Sequence, residues 1–92
     1  MTDKVATEVR ISGKVQGVSY RAFVQRAARR RRVTGWVRNM PDGSVSAHLE
    51  GSEDAVRGLV NDLRIGPPMA RVTDVDRSPA TPEGAQGFEI VG

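Results

Sequence analysis

Residues 13–21 read Gly13-Lys14-Val15-Gln16-Gly17-Val18-Ser19-Tyr20-Arg21, a glycine-bearing loop that runs into the start of an amphipathic stretch. Backbone N–H groups of such a loop, a helix N-terminus and an arginine beside them make an anion site. Phosphate is its natural occupant, because a guanidinium binds it through a two-pronged fork. A second side chain placed for such chemistry is Asn39, at the end of the strand-like segment Trp36-Val37-Arg38-Asn39. The usual equipment of hydrolases is otherwise sparse. There is one histidine, His48, and no cysteine, which excludes thiolate catalysis, disulfides and cysteine-ligated metal sites. No acid–base pair or metal-ligating cluster stands out along the chain.

The elements that must hold these residues follow from hydrophobic periodicity. Val9 and Ile11 alternate with Glu8, Arg10 and Ser12, the pattern of a half-buried strand. From Tyr20 the period changes: Tyr20, Phe23, Val24, Ala27 and Ala28 share one helical face. Arg31 falls on that apolar side, so the helix ends there or its stem snorkels. Thr34-Gly35 breaks the pattern before the Trp36 strand, and Met40-Pro41-Asp42-Gly43 carries hairpin-turn chemistry. Residues 44–50 alternate again, with Val45, Ala47 and Leu49 on one face. Ser52 is a helix N-cap, followed by Glu53 and Asp54, then Val56, Leu59, Val60 and Leu63 at helical spacing, stopped by Gly66-Pro67-Pro68. Val72 and Val75, three apart in a further strand, predict a bulge. Residues 78–86 read as a loop, and Phe88 and Ile90 as a short closing strand.

The order is β-α-β-β-α-β with one extra terminal strand: an α+β, split βαβ sandwich with two helices on one face of an antiparallel-dominated sheet. The first two strands run parallel with the third between them, so the glycine loop and Asn39 come to the same edge of the sheet, about 10 Å apart at two strand spacings. The face away from the helices should carry Glu8, Arg10, Arg38, Ser44, Ser46, His48 and Glu50 and should be wet.

At 92 residues and 10.0 kDa the chain has room for one domain, spanning 1–92. Apolar residues at 38% and charged residues at 27% exclude a disordered composition. The N-terminal stretch MTDKVATEVRIS has no apolar run for a signal peptide and no segment is long enough to span a membrane, so a cytoplasmic, soluble protein is expected. The net charge of +3 argues for nothing, but five arginines lie between Arg26 and Arg32.

The two functional segments resemble those of the acylphosphatase family. Residues 13–21 are similar to its first signature, G-x-V-Q-G-V-x-[FY]-R. Gly35-Trp36-Val37-Arg38-Asn39-Met40-Pro41-Asp42-Gly43-Ser44-Val45 is similar to its second, G-W-V-x-N-x-x-D-G-x-V. Gly66-Pro67-Pro68-Met69-Ala70-Arg71-Val72 and Phe88-Glu89-Ile90 are also similar to the family pattern, so the resemblance covers nearly the whole chain. It implies a ferredoxin-like fold, in agreement with the order of elements above. It also implies hydrolysis of a carboxyl phosphate to carboxylate and inorganic phosphate by a monomer, with no metal or other cofactor. By position, Arg21 and the backbone N–H groups of Val15, Gln16, Gly17, Val18, Ser19 and Tyr20 bind the phosphoryl group, and Asn39 orients the attacking water. The acyl group has no recognisable code; acetyl phosphate, carbamoyl phosphate and 1,3-bisphosphoglycerate are the candidates the resemblance suggests.

The sparse chemistry agrees with that substrate class. A carboxylate leaving group, whose conjugate acid has a pKa of about 4, departs unprotonated at neutral pH and needs no general acid. Positioning and charge stabilisation then suffice. Plainer readings stand beside these. Arg21 in isolation could be a solvated helix arginine, and Asn39 the opening of an Asp-Gly hairpin, although its shared parity with Val37 turns it toward the helices. His48 reads as a solvated strand residue, Asp42-Gly43 as structural, and Trp36 as packing. The arginine run departs from the family, which usually has smaller or apolar residues before the second signature's glycine. A basic helix end is favoured by the helix dipole. It could also face nucleic acid, but the open face lacks the aromatic platform of RNA-recognition modules, so no nucleic-acid partner is expected. A phosphometabolite-binding or carbamoyl-phosphate-handling module without free-standing activity is the remaining alternative.

Overall fold

In the computed structural model, which describes residues 4–92, the chain forms β1 (Lys4–Lys14), α1 (Tyr20–Arg30), β2 (Thr34–Asn39), β3 (Val45–Ser52), α2 (Glu53–Ile65), β4 (Arg71–Ala80) and β5 (Phe88–Ile90). Residues 1–3, the start of the stretch read above for a leader, lie outside the described residues. Sheet order is β4-β1-β3-β2-β5. β3 is antiparallel to both β1 and β2, so β1 and β2 run parallel on either side of it. β4 adds antiparallel to β1, and β5 parallel to β2. This is the ferredoxin-like arrangement with a short extra edge strand, and both helices pack on one face.

The helices form where the sequence provides an apolar stripe and a cap. Val56, Leu59, Val60 and Leu63 of α2 are buried, and the Ser52 hydroxyl accepts from the Ala55 amide at 3.1 Å at its start. Fully burying a leucine such as Leu59 or Leu63 contributes ~2 kcal/mol. Tyr20, Val24, Ala27 and Ala28 make the matching stripe on α1. That helix stops at Arg30: Val33 N donates to Ala28 O at 2.9 Å, with Arg32 in the left-handed region at φ 59°. Arg31 turns aside and meets Asp62 of α2, Nε to Oδ2 at 2.7 Å. The arginine expected to end the helix or snorkel thus crosslinks the two helices.

Two glycines permit close strand approaches, Gly13 at the end of β1 and Gly35 at the start of β2. Gly13, at φ 121°, sits where the β1–β4 register shifts, and Thr73 is left over opposite it. A Cβ there would strike the Arg71 carbonyl oxygen. This is the bulge that Val72 and Val75 predicted, with the extra residue on β4. Gly35, at φ 140°, likewise has no room for a Cβ beside the His48 carbonyl oxygen. Instead of breaking the pattern, Thr34 and Gly35 begin β2.

The open face of the sheet is not uniformly wet. His48 and Glu50 are each 1% exposed, and Ser44 is also buried. For His48 and Glu50 the reason is a segment, residues 81–87, that crosses back over this face: its Glu83 amide bonds to Glu50 Oε2. Alternation told which face these side chains take, but not that later chain would cover it. The loop expected from Ser78 begins later, because Ser78, Pro79 and Ala80 pair with Glu8, Thr7 and Ala6. Pro79 is tolerated because β4 is an edge strand.

Candidate active site

Between the loop after β1, the start of α1, the end of β2 and β5 lies a cavity of about 210 Å³, lined by Val15, Gly17, Ser19, Tyr20, Arg21, Ala22, Asn39 and Ile90. The loop is shaped by alternating backbone hand. Gly17 (φ 75°) and Ser19 (φ 62°) are left-handed on either side of Val18. Such alternation turns successive N–H groups inward, as in an anion-binding nest. Among the described residues, none of the amides of residues 16–22 donates to a backbone or side-chain acceptor; the first to do so is Phe23 N, to Ser19 O at 3.1 Å. Ser19 holds the N-cap position of α1 without a side-chain capping bond, and the first turn has no acidic residue. The positive end of the helix is therefore left without a protein anion. A serine in the left-handed region costs about 1 kcal/mol, a strain typical of binding loops.

Arg21 opens α1 half-buried at the cavity, and no acidic side chain among the described residues pairs with it. Asn39 closes β2, paired with Val45. Its Oδ1 is buried without a hydrogen-bond partner. The parity with Val37 does bring it to the helix side, and the topology carries it to the same cavity as Arg21.

Of the remaining residues singled out from sequence, Val15, Gly17, Ser19 and Tyr20 line the cavity, whereas Gln16 and Val18 do not. The Gln16 side chain turns away and straps the loop to the β2–β3 turn: Nε2 donates to Met40 O and to Ser44 O, each at 2.8 Å. The Tyr20 hydroxyl donates to Leu63 O at 2.7 Å and ties the start of α1 to the end of α2. Burial pushes its phenol far above the usual tyrosine range, so it stays a donor. Asp42 accepts from Ser44 N and Oγ at 2.9 and 2.6 Å, which hold its carboxyl below the usual range and fix the turn. Ala22 and Ile90 were not foreseen in the cavity wall; no chemical signal marks them, and only the parallel pairing of β5 on β2 brings Ile90 there.

A second polar group also escaped the linear reading. His48, Glu50 and Glu83 bring ligand-type atoms within 4.8 Å of one another on the far face. The arrangement does not suit a metal. His48 Nε2 is already 2.7 Å from Glu50 Oε2, and Nδ1 has no partner, whereas a ligating histidine donates its other N–H to an acceptor.

The model of the acylphosphatase family matches residues 7–90. The chain belongs to the acylphosphatase family. It is 47% identical to the acylphosphatase of Thermococcus kodakarensis over 97% of this chain and 98% of that one. It is 48% identical to the acylphosphatase of Natronomonas pharaonis, with 98% of each chain covered. The crystal structure of acylphosphatase from Bacillus subtilis superposes with a TM-score of 0.93 at 37% identity, covering 96% of this chain and 99% of that one. Membership makes the chain a hydrolase of the acylphosphatase class, and the sandwich derived above is the family's fold. No helix in the described residues is long and apolar enough to cross a membrane.

Proposed function

We propose that the chain hydrolyses small acyl phosphates to a carboxylate and inorganic phosphate, without a metal, by direct in-line attack of water on phosphorus. The loop amides and Arg21 hold the three equatorial phosphoryl oxygens, whose charge shifts as the acyl oxygen departs. Asn39 Oδ1 accepts a hydrogen bond from the water and fixes its line of approach. The water oxygen–phosphorus bond forms as the phosphorus–oxygen bond to the acyl group breaks, and the carboxylate leaves with the electron pair. Asparagine is too weak a base to keep the proton, which passes to the substrate phosphate or to solvent.

One observation carries this reading: a buried, unpartnered acceptor, Asn39 Oδ1, borders the same cavity as a run of unpartnered amides and an arginine without a carboxylate. Donors on one side suit an anion, and an acceptor beside them suits the water that attacks it. The reading includes a single acylphosphatase-like domain that acts as a monomer in the cytoplasm, on a small molecule and not on nucleic acid. The test is phosphate release from benzoyl phosphate in EDTA, with an aryl phosphate monoester as control. Turnover of the acyl phosphate alone, lowered about 100-fold or more by Asn39→Ala, is expected. Equal rates for the two proteins remove Asn39 from the mechanism, and loss of activity in EDTA removes the metal-free route.

A further inference from the structure

β5 is three residues long and lies at the sheet edge, yet its Ile90 forms part of the candidate active-site wall. A strand that short has little hold on its own position. The chain leading into it is fastened on the opposite face of the sheet. There the Glu83 amide donates to Glu50 Oε2 at 2.5 Å, and Trp36 Nε1 donates to Glu83 Oε1 at 3.2 Å. His48 Nε2 lies 3.8 Å from Glu83 Oε1, and its ring is stacked against the Trp36 indole with centroids 5.9 Å apart. Arg38 lies over the same indole, 5.4 Å from its centre. The chain then passes round the sheet edge. Gly35 N donates to Gly87 O at 2.8 Å, and Phe88 O accepts from Gln25 Nε2 of α1 at 2.9 Å. Beyond Ile90, Val91 N donates to Val37 O at 3.0 Å. Trp36 and Asn39 share β2, so one strand presents the fastening to one face and the water-orienting amide to the other.

We propose that Glu83 is a positioning residue for the hydrolysis: the Trp36–His48–Glu50–Glu83 clasp on the far face sets the place of Ile90, and with it the Asn39 side of the cavity. The kinetic part of this inference rests on the proposed function. The hold on β5 does not. Glu83 touches no part of the phosphoryl cradle, so loosening it shifts the wall beside the water and leaves phosphate binding alone.

The test compares wild type with Glu83→Ala and Glu83→Gln, the latter keeping an oxygen for the Trp36 N–H. Three quantities are read: kcat and KM on benzoyl phosphate, inhibition by inorganic phosphate, and amide exchange at Val91 with Leu59 of α2 as reference. Glu83→Ala is expected to lower kcat about five- to tenfold, since a misplacement of reacting groups near 1 Å costs ~100-fold and a smaller one less. KM and phosphate inhibition stay within about twofold, the mark of an interaction absent from ground-state binding. Exchange at Val91 rises about tenfold while Leu59 is unchanged, the mark of local opening. Glu83→Gln restores both values. Unchanged Val91 exchange overturns the proposal, as does faster exchange with an unaltered kcat. A parallel rise at Leu59 overturns it too, because Glu83 would then support the fold at large. If the wild type hydrolyses no acyl phosphate, the functional reading falls, and the exchange comparison alone decides the clasp.

Discussion

Gln16 is the loop residue whose side chain ties the loop to the hairpin. Gln16→Ala removes two 2.8 Å hydrogen bonds, to Met40 O and Ser44 O. Neither carbonyl is orphaned by the change: Met40 O still accepts from Gly43 N at 3.1 Å, and Ser44 O from Met40 N at 2.8 Å. The stability loss is therefore the net value of two ordinary hydrogen bonds, about 2 kcal/mol, without the further cost of buried unpaired acceptors. For a domain this small that lowers Tm by roughly 10 °C and leaves the protein folded at 25 °C. Catalysis should suffer although the protein stays folded. Met40 adjoins Asn39, so the strap fixes the distance between the phosphoryl cradle and the water-orienting amide, and an error near 1 Å there costs about 100-fold. The assay is kcat on benzoyl phosphate at 25 °C, with the folded fraction read by circular dichroism in the same buffer. A drop of about 10- to 100-fold in fully folded Gln16→Ala is expected. Gln16→Glu should be worse in stability, because a carboxylate then faces two carbonyl oxygens. A folded Gln16→Ala enzyme with kcat within about threefold of wild type would refute the reasoning.

Arg21→Lys should lower kcat/KM by about 100-fold, since an ammonium does not reproduce the bidentate guanidinium contact; a change under about tenfold would reduce Arg21 to a general positive charge. Burial pushes the Glu50 carboxyl up, but the Glu83 amide, His48 and the Ala85 amide outweigh it and hold the pKa below the usual glutamate range. A depressed folded pKa contributes stability that is present above the unfolded value of about 4.3 and is lost as pH falls through the folded one. Urea unfolding should therefore show a smaller loss of stability on acidification below about pH 4.3 for Glu50→Gln than for wild type, and parallel profiles would contradict the assignment. Gly35→Ala forces a Cβ into the His48 carbonyl at a φ of 140°, and should cost more than ~3 kcal/mol in urea unfolding. A wild-type midpoint would mean that β2 and β3 can separate freely at that point.

Much of this protein is local in origin, and that part is legible in the chain. The stripe from Val56 to Leu63 with Ser52 before it and Gly66 after it specifies a helix wherever it is placed, because cap and period act within a few residues. The residues of the glycine loop, Arg21 and Asn39 belong to types that suit phosphate and water, and strand parity turned Asn39 toward the helices. The bulge at Gly13 could be anticipated from the spacing of Val72 and Val75. Other features exist only once distant segments meet. Gln16 became a strap because the β2–β3 turn presents two carbonyls to it, 24 and 28 residues away. His48 and Glu50 alternate like solvated strand residues and are nevertheless buried, because residues 81–87 return over them. Ile90 enters the cavity through a parallel pairing with β2 that no local pattern encodes. Periodicity reports which face a side chain takes; only tertiary structure decides what covers that face, since the covering chain lies far away in sequence and its own pattern is merely that of a loop.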